Sequence, residues 1–228
     1  AVALQVPVIS GNVSLYNQTD DTPILPTPTC ALVGLRTGMT DDTENPRSAF
    51  ATEGDVVAVI GELAGRTLGG GEFLYSLHGL TAGRPPEARF ERELSVSSAC
   101  AELVRSSLVN SAHDVSDGGL LVALAECTAC HTGDRIGATI AASTSEEPTL
   151  ALFGEAGARI VVSYDPGDQA AVLAVAARFG ATVTPIGTTG GDRLTVDLGH
   201  RVDLDLDSLH VAWDLGLERA LRVGRGAA

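Results

Sequence analysis

Residues 54–60, with the sequence GDVVAVI, indicate the fold class of this chain. Gly54 and Asp55 are turn residues, and the apolar run from Val56 to Ile60 that follows them predicts a buried strand. Further apolar runs predict strands at 159–164, 183–186 and 193–197. The sequence therefore predicts a domain that contains a sheet and begins near residue 54.

Three other segments predict helices. Residues 87–110 place apolar side chains on one face at helical spacing, among them Leu94, Leu103 and Leu108. Residues 119–130, GLLVALAECTAC, predict a strongly apolar helix, and residues 169–178 predict another. Strands mixed with helices predict an α+β fold built from mixed α/β layers.

The first 53 residues follow a different pattern. Apolar runs at 6–9 and 29–36 predict two strands, and residues 23–28, PILPTP, predict an extended segment because each Pro restrains itself and its predecessor. Residues 38–53 are polar and rich in turn residues, which predicts a linker or a domain seam. The sequence opens with neither Met nor a positively charged signal segment, so we expect a fragment of a longer chain.

Composition limits the classes of function. Of the 228 residues 44% are hydrophobic, which is enough for a sizeable core, and the formal net charge of −14 argues against a nucleic-acid-binding face. No apolar run approaches the ~20 residues of a membrane span, and we expect a cytoplasmic protein. All 15 basic residues are Arg, which excludes Schiff-base chemistry and a P-loop lysine within this chain.

Residues 10–17, SGNVSLYN, form the first candidate ligand loop. Gly11 lets the backbone approach a ligand closely. The Asn12 amide oxygen suits Mg²⁺, and the Ser14 hydroxyl can bond a phosphate or an amide. The alternative is an ordinary polar turn.

Residues 113–119, HDVSDGG, lead into the helix predicted at 119–130. A helix N-terminus attracts phosphate through its free N–H groups and its dipole, and nearby carboxylates can hold the accompanying Mg²⁺, which makes Asp114 and Ser116 candidates for a nucleotide site. The alternative is that Ser116 or Asp117 caps the helix without any ligand. Local chemistry leaves both hypotheses open.

Three further motifs are weaker. Residues 69–72, GGGE, predict either a loop that touches phosphate or a tight turn. Within 152–159, LFGEAGAR, Glu155 and Arg159 either bind a polar ligand or pair with each other. Residues 127–131, CTACH, match a haem-attachment pattern, but cysteines at the end of an apolar helix fit a core better than haem or zinc.

Taken in order, these motifs resemble phosphoribosylformylglycinamidine synthase subunit II of the small bacterial and archaeal type, in the AIR synthetase-like superfamily. The segment at 7–17, PVISGNVSLYN, is the most specific match. Two departures are mild: Gln18 stands where the family usually has Glu, and Gly71 where Ser is usual. Further matches lie at 26–28, 68–74, 113–126 and 152–163, so the resemblance covers nearly the whole chain.

The resemblance implies both an organisation and a reaction. Residues 1–53 would be the C-terminal part of the second AIR synthetase N-terminal-type domain, and residues 54–228 the second C-terminal-type domain. The implied enzyme is an ATP-dependent, amidine-forming ligase. It converts formylglycinamide ribonucleotide, ATP and glutamine-derived ammonia to formylglycinamidine ribonucleotide, ADP and phosphate. Its catalytic residues would precede this sequence, so none is expected here.

Site roles and partners also follow from the resemblance. Gly11 is implied to contact ATP, Asn12 to bind Mg²⁺ and Ser14 to contact the substrate. In large single-chain relatives the equivalents of Asp114 and Ser116 serve an auxiliary Mg²⁺-nucleotide site, but here we expect a structural or vestigial role. The implied partners are a glutamine amidotransferase subunit and a small accessory subunit, with no nucleic acid and no membrane.

Two alternatives stand beside this hypothesis. One is another enzyme of the superfamily, such as AIR synthetase, selenophosphate synthetase or thiamine-phosphate kinase, which residues 10–17 disfavour because the corresponding loops differ. The other is a non-catalytic scaffold half that completes a pseudo-symmetric core and docks the glutaminase. The second is compatible with the main hypothesis, since one domain can both pack and lend Asn12 to a site.

Overall fold

The computed structural model describes residues 1–13, 17–24, 28–35, 47–129 and 135–225. The chain divides into two compact units, one within 1–44 and the other within 45–228. No helix in the described ranges is both long enough and apolar enough to cross a lipid bilayer.

The described residues form nine strands and six α-helices. The strands are β1 (Gln18–Thr19), β2 (Thr22–Pro23), β3 (Val56–Gly61), β4 (Ser111–Asp114), β5 (Ala138–Ala141), β6 (Arg159–Tyr164), β7 (Val183–Thr189), β8 (Arg193–Asp197) and β9 (Arg201–Asp205). The helices are α1 (Glu72–His78), α2 (Phe90–Arg105), α3 (Gly119–Ala129), α4 (Pro148–Phe153), α5 (Gln169–Arg178) and α6 (Leu206–Arg225).

Strands β3 to β9 form one seven-stranded sheet in the order β4-β6-β3-β7-β5-β8-β9. β3 lies inside it, antiparallel to both β6 and β7, and its residues Val57, Val59 and Ile60 are fully buried. The other neighbouring strands are antiparallel as well, except that β5 and β8 run parallel. The apolar run that indicated the fold class is thus an interior strand of the sheet.

Helices cover both faces of this sheet. Because side chains alternate along a strand, Val57 and Val59 of β3 share one face, where they join a core formed with α3, α4 and Leu209 of α6. Ala58 and Ile60 join a second core with α2 and α5 on the other face. The predicted α+β fold with mixed α/β layers is confirmed.

Most elements predicted for the larger unit are confirmed. β6, β8 and α5 have the predicted bounds, and β7 continues to Thr189. The helix predicted at 87–110 is confined to α2, because Pro85 and Pro86 precede it and Ser107 after it takes a φ of 53°, which an α-helix does not contain. α3 begins at Gly119 as predicted, and Cys130 lies outside the described residues.

In the small unit, the predictions of strands at 6–9 and 29–36 are wrong for the residues described there, 6–9 and 29–35, which contain no strand. Their apolar side chains face solvent: Ile9 is 81% exposed and Val33 is 87% exposed. A strand is stabilised by backbone pairing and by burial of one face, and the described part of the small unit supplies neither to these segments. A short hairpin of β1 and β2 is the regular structure described there.

Residues before position 54 also pack into the larger unit. Ala49 and Phe50 are buried, and Phe50 belongs to the core beside α3, with its N–H donating to Cys127 O at 2.8 Å. The division into domains at 1–53 and 54–228 stays a prediction.

Candidate functional site

Three loops that carry sequence motifs meet at one edge of the seven-stranded sheet. β3 ends at Gly61 opposite Arg159, where β6 begins, and β4 ends at Asp114 opposite Ile160. Because these neighbouring strands are antiparallel, the chain leaves β3 and β4 and enters β6 at the same edge. We call this edge the rim and define it as residues 61–72, 113–119 and 154–159.

Glu155 joins two glycine-containing loops of the rim. Its Oε1 accepts a hydrogen bond from the Glu72 N–H at 2.7 Å and another from the Gly118 N–H at 3.0 Å. Its own N–H donates to Thr67 O at 2.9 Å. The carboxylate therefore satisfies backbone donors at the start of α1 and just before α3, and its charge complements both helix dipoles.

Glycine is required where these loops touch. A Cβ at Gly119, whose φ is +76°, would lie 2.6 Å from the carbonyl carbon of Phe153. A Cβ at Gly71 would lie 2.8 Å from Glu155 Oε1. The glycines of the motifs at 69–72 and 113–119 thus allow close packing within the rim itself.

Arg159 is a rim residue whose side chain is buried, and it donates hydrogen bonds to three backbone carbonyls. It donates from Nη1 to Gly154 O at 2.9 Å, from Nη2 to Leu63 O at 3.0 Å and from Nε to Glu62 O at 3.1 Å. Burial lowers the pKa of Arg159 to about 10, against the opposing effect of the Glu62 charge, so the group stays protonated at neutral pH. Of the two hypotheses for Glu155 and Arg159, mutual pairing is wrong, because both side chains form hydrogen bonds with backbone groups instead of with each other.

Asp114 and Ser116, the candidates for an auxiliary nucleotide site, are neighbours in the rim. Ser116 Oγ donates a hydrogen bond to Asp114 Oδ2, and the Asp114 side chain is 75% exposed. His113 Nδ1 lies 2.7 Å from Asp114 O, and His113 Nε2 lies 3.5 Å from Glu126 Oε2. The exposed carboxylate remains accessible to a cation, although one of its oxygens already has a donor.

The helix cap expected from the Ser116 hydroxyl does not form. The Ser116 hydroxyl donates a hydrogen bond to the Asp114 carboxylate instead, and the Gly118 N–H donates to Glu155 Oε1. Glu155 is 37 residues away along the chain, so local sequence alone does not identify it as the partner. The expectation of a structural role for this segment remains a prediction, with Glu155 rather than Ser116 as the capping group.

The residues that the resemblance links to the main site lie in the small unit. Gly11 and Asn12 are exposed neighbours in a segment without regular secondary structure, and a Cβ at Gly11 would meet nothing within 4 Å. Open space of this kind is what close approach of the backbone to a ligand requires. Ser14 lies outside the described residues. The roles of Gly11, Asn12 and Ser14 all stay predictions.

Oxygen donors suited to Mg²⁺ occur in each unit. The Asn12 amide and the Asp114 carboxylate are hard ligands of the kind that Mg²⁺ prefers. Among the described residues, no group of three or more His, Cys, Asp or Glu side chains could hold a metal ion. A Mg²⁺ at either residue would need water, phosphate oxygens or further side chains to complete its octahedral shell.

The cysteine motif at 127–131 is described only in part. Cys127 is 1% exposed and belongs to the core between α3 and the sheet, which agrees with a small apolar core residue. Cys130 and His131 lie outside the described residues. The haem and zinc alternatives are therefore not tested.

A cluster of two arginines and a glutamate, formed where the rim meets α2, is not predicted from the sequence. Glu62 accepts hydrogen bonds from Arg66 Nη2 and Arg92 Nη1 on the same oxygen, Oε1. Partial burial raises the pKa of Glu62, but the hydrogen bonds from Arg92 and Arg66 outweigh burial and hold the pKa below its ordinary value. The i, i+4 spacing of Glu62 and Arg66 is a visible signal, whereas Arg92 lies 30 residues from Glu62.

Comparison with known proteins identifies relatives over the whole chain. The family described as AIR synthase related protein, C-terminal domain, matches residues 52–199. The phosphoribosylformylglycinamidine synthase subunit PurL of Anaeromyxobacter sp. (strain Fw109-5) is 41% identical over 235 residues, which cover 99% of this chain. The PurL subunit of Thermomicrobium roseum is 41% identical over 215 residues, which cover 94% of it. The chain spans 30% and 28% of the length of these two curated relatives.

Solved structures agree with the fold. Thermotoga maritima PurL complexed with FGAR has a TM-score of 0.61 at 20% identity, covering 74% of this chain and 30% of the other. The phosphoribosylformylglycinamidine synthase II structure from the same organism has a TM-score of 0.57 at 20% identity, covering 72% and 27%. The AIR synthetase-like fold expected from the sequence is confirmed.

Proposed function

Because this chain belongs to the AIR synthase related protein family through its C-terminal domain, we propose that it is one part of a phosphoribosylformylglycinamidine synthase. The observation that carries the proposal is its alignment, over 99% of its length and at 41% identity, with a subunit of that name. Since the chain spans 30% of that relative, the activity requires further sequence.

The proposed reaction is an ATP-dependent ligation of purine biosynthesis. ATP activates the amide oxygen of formylglycinamide ribonucleotide as an iminophosphate, and ammonia derived from glutamine displaces phosphate to give the amidine. The Thermotoga maritima relative has been solved in complex with ATP and in complex with FGAR, which supports these two substrates.

The small unit lends ligand contacts to this reaction. Gly11 brings its backbone against ATP, Asn12 supplies an amide oxygen to Mg²⁺, and Ser14 contacts the substrate. When bound, Mg²⁺ would neutralise part of the negative charge on the phosphates of ATP. The open space around Gly11 supports its role. No residue of this chain is assigned as catalytic.

The larger unit serves as a scaffold in the enzyme. The proposed domains of the chain are 1–53, the end of the N-terminal-type domain, and 54–228, the C-terminal-type domain. The internal use of Glu155 and Arg159 supports the scaffold role, since both bond backbone groups of the rim. Asp114 and Ser116, bonded to each other, have a structural role. The partners are a glutamine amidotransferase subunit and a small accessory subunit in the cytoplasm. The solved PurLQS assembly of the Thermotoga maritima relative supports such a complex.

Replacement of Asn12 tests the metal role. In the complete synthase subunit, Asn12→Ala removes one oxygen ligand. We expect kcat/KM for ATP at limiting Mg²⁺ to fall at least about tenfold, a loss typical even of groups that only orient a metal ligand. Higher Mg²⁺ should restore part of the activity. The control is Gln18→Ala, which removes an exposed amide that donates to Asp20 O. An unchanged Mg²⁺ dependence in the Asn12 variant would contradict the assignment.

Activity of the isolated chain tests the requirement for further sequence. The folded 228-residue protein should produce no ADP from ATP and formylglycinamide ribonucleotide in the presence of ammonia, because no catalytic group is assigned to it. The complete subunit, assayed in parallel, is the positive control. Turnover by the isolated chain would show that the essential groups lie within it.

A further inference from the structure

A cavity of about 290 Å³ opens beside the rim, on the face of the sheet that carries α2 and α5. Its walls are the first turns of α2 and the segments 61–66, 156–158 and 180–182. This volume lies just below the ~300 Å³ at which pockets for drug-sized ligands begin. The space therefore suits a small metabolite, and none of the roles proposed for the synthase uses it.

Small residues form the apolar part of the cavity lining. A Cβ at Gly157 would lie 2.0 Å from Glu93 Oε1, and a Cβ at Gly61 would lie 2.2 Å from Ala158 O, so the close packing there requires glycine. An apolar lining with a few charged groups is the usual composition of a small-molecule site. The small lining residues are Gly61, Ala156, Gly157, Ala158, Gly180 and Ala181.

Two guanidinium groups in the lining of the cavity share one acceptor. Arg66 and Arg92 both donate to one oxygen of a single carboxylate, Glu62 Oε1. Each guanidinium carries five N–H donors, so most of the donors on Arg66 and Arg92 extend beyond this shared contact.

The other acidic groups of the lining have contacts of their own and do not bond Arg66 or Arg92. Glu93 Oε2 is engaged by the Ala158 N–H at 3.0 Å. Glu87 lies 3.6 Å from Arg89 in an outer pair and has a side chain that is 79% exposed. Three arginines and three glutamates line the cavity, so its lining is neutral overall, and the attraction for an anion comes from the N–H donors of Arg66 and Arg92 that Glu62 does not use.

The N-terminal end of α2 adds to the attraction for an anion. The helix has 16 residues, and its N-cap residue Arg89 makes no side-chain capping hydrogen bond. Free N–H groups and the helix dipole favour negative charge at such an end. The carboxylates of Glu91 and Glu93 in the first turn offset part of this effect, so Arg66 and Arg92 are the main attraction for an anion.

From these observations we infer that the cavity binds a small metabolite through an anionic group, a phosphate ester or a carboxylate, held by Arg66 and Arg92. The compact apolar part of the metabolite lies against the glycine and alanine residues of the lining. Glu62 pairs with the two arginines when the ligand is absent, and the anion of the ligand competes with it. The site is separate from the proposed ligation chemistry.

Titration with two simple anions tests the site and distinguishes the two ligand types. The complete 228-residue chain is titrated with inorganic phosphate and with isobutyrate at constant ionic strength. NMR signals of the Arg66 and Arg92 Nε–H groups follow the two side chains directly. We expect saturable shifts with at least one of these anions. The absence of saturable binding by both would overturn the proposal.

Arginine variants test where the anion binds. The double variant Arg66→Gln, Arg92→Gln should weaken binding at least about tenfold, because charge-assisted hydrogen bonds are lost. Arg105→Gln on the same helix is the matched control, since Arg105 pairs with Glu102 at the opposite end of α2. Unchanged affinity in the double variant, or equal weakening in the control, would overturn the proposal.

Glu62→Gln gives a change of opposite sign. The amide keeps the shape of the side chain but removes the competing charge, so anion binding should tighten at least about threefold. If Glu62 only holds the arginines in a structural ion pair, the affinity will stay the same or fall, and the proposal fails. Thermal unfolding followed by fluorescence of Trp213, the single Trp, verifies that each variant is folded.

Discussion

Ile9 and Ile60 lie in similar apolar runs and have opposite environments. Ile60 in β3 is fully buried between two paired strands, whereas Ile9 in the small unit is 81% exposed. Both runs predict strands from sequence. The difference teaches that an apolar run shows which side chains gain from burial, while a strand also needs neighbours that supply backbone partners.

The two units differ in their polar groups as well. In the larger unit, Glu155 and Arg159 bond backbone groups of three separate loops and hold the rim together. In the small unit, Gly11 and Asn12 lie in an exposed segment without regular structure. We therefore expect substitutions in the larger unit to change folding stability, and substitutions at Gly11 or Asn12 to change ligand use.

The largest effect is expected from Arg159→Ala. The substitution leaves three backbone carbonyls without their donor in a site where Arg159 is 3% exposed. Hydrogen bonds to charged groups contribute roughly 1.5 kcal/mol or more each, so the free energy of unfolding should fall by about 4 kcal/mol. Urea unfolding followed by circular dichroism measures the change.

Arg193→Ala is the matched control for Arg159. Arg193 forms an exposed pair with Asp203 between β8 and β9, and exposed pairs of this kind contribute little to stability. The unfolding midpoint of this variant should stay within error of the original protein. Equal losses of stability in both variants would show that the buried Arg159 contributes no more to stability than an exposed arginine does.

The comparison between Ile60 and Ile9 can itself be tested by paired substitutions. Ile60→Ala leaves a cavity beside α2 and α5 and should cost about 3 kcal/mol of unfolding free energy. Ile9→Ala removes the same atoms from an exposed position and should change it by less than ~0.5 kcal/mol. A large loss from Ile9→Ala would mean that Ile9 is buried in solution, and the contrast between the units would fail.

Elements with strong apolar patterning are predictable from sequence, and elements defined by their partners are not. β6, with the sequence RIVVSY, and α5 have the bounds that the apolar runs predict. β4, with the sequence SAHD, contains one apolar residue and is a strand because it pairs with β6 along its whole length. β9 alternates charged and apolar residues, which is typical of a half-buried strand, but it has no continuous apolar run and is defined by its pairing with β8.

The candidate site divides in the same way. The sequence identifies the glycine-rich loops and the Glu155–Arg159 motif, because glycines and charged residues next to apolar runs can be recognised from the residue order alone. It does not identify their partners, since Glu155 lies 83 residues from Glu72 and 37 from Gly118. The cap considered for Ser116 is absent because its hydroxyl donates to Asp114, and the Gly118 N–H has its acceptor in a distant loop. Pairing between distant loops is a tertiary property that local pattern does not contain.

The smallest expected effect is a pH dependence at Glu62, on the rim of the larger unit. Hydrogen bonds from Arg92 and Arg66 outweigh partial burial and lower the pKa of Glu62 in the folded state. A carboxyl group with a lowered folded-state pKa contributes stability above its unfolded pKa, and this contribution is lost as the pH falls through the folded pKa. The original protein should therefore be slightly more stable than Glu62→Gln at neutral pH.

The difference between the two proteins should narrow as the pH falls below 4.5, the ordinary pKa of this group. Because the Glu62 side chain is 40% exposed, solvent screens the pair and keeps the difference small compared with the loss at Arg159. Thermal unfolding of both proteins at matched pH values measures it. If the stability difference between the two proteins stays constant or widens in acid, the arginines do not stabilise the Glu62 carboxylate. The contrast between a rim held together by its own charged groups and an exposed ligand segment in the small unit would then be weaker.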